Sequence, residues 1–139
     1  MTRWRGVIAV EGVLTADGRL IEPTAMEWDD KRPVLLTRAS LAGDGDYGQS
    51  ILGTVESVRR EEREPYGALI IAEGELRDVE SLPDRLDLSV VVTSGEFDVA
   101  GEGTDHPLAL TRCDLRQVIV GSERVWDECV LEVIEDGAQ

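Results

Sequence analysis

Histidine, lysine and cysteine are scarce in this chain of 139 residues, which holds one, one and two of them respectively. Each shortage excludes chemistry. A hydrolase working near neutral pH usually recruits histidine as its general base, because imidazole alone has an ordinary pKa near neutrality. The single candidate, His106, sits in GEGTDHP (residues 101–107), a Gly- and Asp-rich turn ahead of a proline, and reads as an exposed turn residue. Lys31 lies in DDKRP (residues 29–33), a wet turn that does not desolvate an amine, so no serine–lysine dyad is expected. Cys113 and Cys129 fall in separate apolar patterns without CxxC spacing or a histidine cluster, and read as buried, unbridged thiols.

Basic residues are also short, 14 against 29 acids, for a formal net charge of -15. A phosphate backbone or an anionic membrane would be repelled, so nucleic acid and membrane partners are not expected. No apolar run approaches the ~18 residues of a membrane span, and no basic and apolar leader opens the chain. A protein made in a reducing cytoplasm follows as the expectation. No cofactor motif is present, and none is expected to bind.

What remains is a strand-forming sequence. With 42% hydrophobic residues, one domain over residues 1–139 can bury a core. Strands are predicted over residues 4–14, 19–21, 33–37, 50–58, 66–76, 86–97, 108–120 (one strand or two) and 125–134, from Val- and Ile-rich patterns bounded by turn residues. Within 66–76, Ala68, Ile70 and Ala72 share one face, and Leu69 and Ile71 the other. The Val90, Val91, Val92 run reads as a core position. Residues 24–30, after Pro23, and residues 78–85 are predicted as two short helices, and residues 59–64 as a charged hairpin tip closed by Pro65. The predicted class is mostly β, a β-barrel with two short helices, since closure removes exposed strand edges.

Candidate sites are few. Asp44 and Asp46 alternate with Gly45 as a calcium loop begins, but the twelfth position falls on Val55, which lacks a carboxylate, so no metal site is expected. The acidic groups at Asp29, Asp30, Glu61, Glu62 and Glu64 have no paired spacing and read as solvated turns. Ser89 interrupts the apolar run LDLSVVV (residues 86–92), where a hydroxyl needs a partner or lines a cleft.

The order of segments carries a resemblance. WRGVIAVEGV (residues 4–13), TADGR (15–19), IEP (21–23) with MEW (26–28), and PVLL (33–36) resemble the N-terminal half of the capsid-maturation (prohead) serine proteases of actinobacterial tailed phages. LGTVE (52–56) is similar to the glycine-led strand after their catalytic histidine, AEGEL (72–76) to the strand before their helix, and CDL (113–115) with residues 118–133 to their closing strands. LSVV (88–91) falls where their serine nucleophile stands, which would make Ser89 the nucleophile of an active member.

The departures from that family gather around its site. Asp46 and Tyr47, in GDGDYG (43–48), occupy the place of the histidine; Asp87 and Leu88 replace a Gly-Val type of pair; and VGSERV (120–125) replaces a proline-containing motif. Without a base a serine hydroxyl is a poor nucleophile, and losing a triad member costs several orders of magnitude in rate. The resemblance therefore implies a protease-like barrel without catalysis: a minor capsid or decoration component of a phage head, located in the virion and bound to the major capsid protein, to other head proteins or to itself. An active protease would need Ser89 with His106 as its base. An unrelated acidic β-barrel binding module is the third reading. Candidate interface residues are Trp4 in the N-terminal segment, Arg59 and Arg60 in the hairpin tip, and Trp126 if exposed, because indole rings commonly anchor interfaces, although the ordinary place of each tryptophan is the core.

Overall fold

The computed structural model describes residues 2–13, 19–29, 31, 33–38, 51–63, 67–77, 79–83, 85–99, 108–121 and 126–135. Ten strands follow in order: β1 (Thr2–Glu11), β2 (Arg19–Ile21), β3 (Met26–Glu27), β4 (Val34–Arg38), β5 (Ile51–Val55), β6 (Ser57–Glu62), β7 (Ala68–Leu76), β8 (Leu88–Val99), β9 (Leu108–Val120) and β10 (Leu131–Glu135). All belong to one sheet, ordered β10-β1-β7-β5-β4-β9-β2, with β3 and β8 on β9 and β6 on β7. The protein is mostly β.

Two long strands organise the sheet. One edge of β9 takes β8 antiparallel, and the other takes β2, β3 and β4 in succession, all parallel. Likewise β7 holds β1 along one side, with β6 and then β5 on the other. The predicted face of Ala68, Ile70 and Ala72 is buried, and so is Ile71 behind it. Trp4, Ile8, Leu36, Leu52, Leu88 and Val118 lie in the same hydrophobic core, built from strands.

The sheet is not closed. The start of β8 nonetheless meets the entry to β10: Asp87 and Val130 form an isolated bridge, Leu88 N–H donates to Cys129 O at 2.9 Å, and Leu131 N–H donates to Leu86 O at 2.7 Å. Among the described residues there is no α-helix. Residues 26–27 are strand because the edge of β9 takes Met26 opposite Cys113, so pairing overrides the local preference that Pro23 suggested. The second predicted helix shrinks to a single 3₁₀ turn, Val79–Ser81, ahead of Pro83. The charged tip is likewise a strand, β6, which continues to Glu62 against Ala68. Val91 is exposed rather than core, because the pleat turns it away from the interior that Val90 packs against. No helix among the described residues is long and apolar enough to cross a membrane.

Candidate functional site

Glu11 closes β1 on an apolar run, Ile8, Ala9 and Val10, in which every side chain is buried. Strict alternation would expose one of each pair. The register of β1 on β7 slips between Val7 and Ala9, and this irregularity lets consecutive residues face inward. Glu11 is therefore a fully buried carboxylate, 0% exposed, and such a charge must be paired and hydrogen-bonded.

Its partners come from three segments. Arg60 on β6 donates Nε–H to Glu11 Oε1 at 2.7 Å and Nη2–H to Oε2 at 3.0 Å, a bidentate pair. Thr24 N–H donates to Oε1 at 3.1 Å and Met26 N–H to Oε2 at 3.0 Å, so the carboxylate also gathers the loop between β2 and β3. Arg60 reaches Met26 O at 2.7 Å, and its guanidinium lies 5.1 Å from the centre of the Trp28 ring. The bonds to Glu11 hold the Arg60 pKa above its ordinary value despite partial burial, so the guanidinium keeps its charge. Cys113 lies close by, and burial, with the charges of Glu11, Asp114 and Glu27, pushes its thiol up to about 11. At neutral pH it is a thiol, not a nucleophile.

Arg60 and Met26 of this clasp line a cleft of ≈ 640 Å³ together with Glu27, Trp28 and Asp29 and with Asp114, Leu115 and Arg116 of β9. Thr24 also lines it, with a φ of 69°. A β-branched residue in the left-handed region is strained, and the strain is sustained by the bond from its N–H to Glu11. Thr24→Asn is expected to raise stability by about 1 kcal/mol, since asparagine tolerates this conformation. Chemical denaturation measures it; an unchanged or lower midpoint would count against the strain.

The residues expected to matter are dispersed. Ser89 lies on β8 opposite Ile119, on the outer face of the sheet, while neighbouring Leu88 is buried. His106, Asp44, Asp46 and Tyr47 lie outside the described residues. Two interface candidates are corrected: Trp4 is 0% exposed and donates Nε1–H to Thr54 O at 3.0 Å, and Trp126 is 7% exposed and donates to Val13 O at 2.9 Å. Each buries its ring and finds an acceptor for its one polar atom, as a core indole must. Arg60 is spent on Glu11. Arg59 is exposed, with salt bridges to Glu61 and Glu73. Cys113 and Cys129 are buried and form no disulfide.

Sequence reasoning missed Glu11, Trp28 and an outer sheet face. In register across β5, β4, β9 and β8 run Thr54, Leu35, Gln117 and Val91, and beside them Ile51, Thr37, Ile119 and Ser89. None of the eight is charged; Leu35, Ile51 and Val91 are exposed, whereas Thr37 is buried. The alternation of β4 and β8 was a signal for this face, but only strand order assembles it. No protein-family model, curated protein or solved structure matches the chain.

Proposed function

We propose that this chain is a non-catalytic structural protein of a phage head, a minor capsid or decoration component on a prohead-protease-like barrel, bound to the major capsid protein or another head protein. The uncharged outer face around Leu35, Ile51 and Val91 is the observation that carries a binding role. On a chain of net charge -15, a surface without charge is where a partner meets least repulsion and gains most from excluding water. Two copies would bring equal charges together, which favours a different protein as the partner.

The resemblance in segment order supplies the phage assignment. Its glycine-led segment lies on β5, AEGEL ends β7, and LSVV opens β8, so the quoted pieces fall on strands of one sheet. The isolated bridge of Asp87 with Val130, between the two ends of the open sheet, is what supports a barrel in this reading. Absence of catalysis is supported by how the polar centre is used: the Glu11 carboxylate accepts four hydrogen bonds and is not available as a base.

The test is composition of purified heads together with capsid processing. The chain is expected at stoichiometric copy number in mature particles, reduced at least tenfold by the paired substitution Leu35→Glu and Val91→Glu in a protein that still folds. Ser89→Ala is expected to leave processing unchanged. A chain missing from mature heads, or processing that stops with Ser89→Ala, overturns the proposal.

A further inference from the structure

We infer that residues 126–130 form a strap that holds the two ends of the open sheet together, with the ion pair between Arg63 and Glu128 as its catch. The seam it spans is thin. A ladder of ten residue pairs joins β8 to β9. Among the described residues, by contrast, β8 and β10 meet through the single bridge of Asp87 with Val130 and two backbone bonds, Leu88 N–H to Cys129 O at 2.9 Å and Leu131 N–H to Leu86 O at 2.7 Å.

Three contacts seat the strap, each on a distant part of the chain. The Trp126 ring is buried, and its Nε1–H donates to Val13 O at 2.9 Å, just beyond β1. Glu128 Oε2 accepts from Arg63 Nη1–H, just beyond β6. Cys129 is fully buried and presents its carbonyl to Leu88 at the start of β8. Inside the strap, Cys129 N–H donates to Trp126 O at 3.1 Å and Val130 N–H to Glu128 O at 3.0 Å. These bonds tie Glu128 directly to the residues that make the seam.

The catch is the part that lets go. Trp126 and Cys129 are held by burial, whereas the side chains of Arg63 and Glu128 are 34% and 33% exposed, within reach of water. The hydrogen bond from Arg63 holds the Glu128 carboxyl below its ordinary range, so the catch is charged at neutral pH. A segment joined by few backbone bonds opens at lower cost than a laddered strand. Removing the catch therefore opens the seam while the ladders on either side stay closed.

This inference is independent of the phage-head reading, because it concerns a single chain in solution. Native-state hydrogen exchange of the full ¹⁵N-labelled chain tests it at four amides. Glu128→Gln is expected to speed exchange at least fivefold at Leu88 and Leu131, whose bonds cross the seam. Exchange should stay within twofold of the parent at Arg77, bonded to Leu52 O, and at Cys113, bonded to Ala25 O. Arg63→Gln should speed the same two amides. The charge-reversed pair, Arg63→Glu with Glu128→Arg, should slow them again, which a merely structural role for either side chain does not require. Unchanged exchange at either seam amide, equal acceleration at all four, or a reversed pair no better protected than the single variants overturns the inference.

Discussion

Glu11→Ala is expected to remove about 3–5 kcal/mol of stability, a large share of the ~5–15 kcal/mol that a folded domain possesses. Three groups lose their partner at once. The Arg60 guanidinium is left half-buried without its anion, and the N–H groups of Thr24 and Met26 lose the oxygens they donate to. An unsatisfied buried donor costs about 1–3 kcal/mol, more when charged. Arg60→Ala should cost less, because the carboxylate it strands keeps two backbone donors. The double variant should lie well below the sum of the singles, since the second substitution removes a charge that the first orphaned. Urea unfolding of the three variants checks this order. A Glu11→Ala variant within 1 kcal/mol of the parent would mean that the clasp does not hold the β2–β3 loop.

The clasp also marks where sequence reasoning stops. A carboxylate at the end of an alternating strand reads as solvent-facing, and only the register slip between Val7 and Ala9 turns it inward. Slips of this kind leave no reliable trace in residue type. Arg60 is hidden for another reason. It lies in a run of charges, Arg59 to Glu62, that suits a turn, yet charged side chains are also what an edge strand carries to prevent further pairing. Both readings predict the same residues, and the partner strand decides.

Legibility was greatest where burial is set by the chain's own alternation. The faces of β7, the apolar run in β4 and the long strands β8 and β9 follow from spacing that survives any arrangement of neighbours. Met26 and Glu27 form the opposite case: two residues become strand because β9 offers an edge, and nothing within them requires it. The cleft has the same origin. Asp114 and Arg116 are ordinary strand charges in sequence, and line the cleft only because β9 carries them past β3, whose last pair is Glu27 with Asp114.

Gly74→Ala should destabilise the protein by about 3 kcal/mol or more, an exceptional cost for adding one methyl group. A Cβ built on Gly74 would stand 1.8 Å from Thr54 O and 3.1 Å from Trp4 Nε1. The first contact is with backbone, which no rotamer change relieves. Gly53 has the reciprocal problem, its Cβ falling 2.1 Å from Glu75 O, so glycines on both strands allow β5 and β7 to approach. That approach positions the acceptor for Trp4, which lies opposite Gly74 on β1 and sends its indole across to Thr54 O. The methyl group must therefore either part β5 from β7 or displace the largest buried side chain. The expected signature is a lowered unfolding midpoint with a red-shifted Trp4 emission, isolated in a background with both Trp28→Phe and Trp126→Phe, since the chain holds three tryptophans. Glu75→Ala, one residue along β7 and opposite Arg3, should change neither. A Gly74→Ala variant with the parent's midpoint and emission would remove the claim that this close approach of strands seats Trp4 in the core.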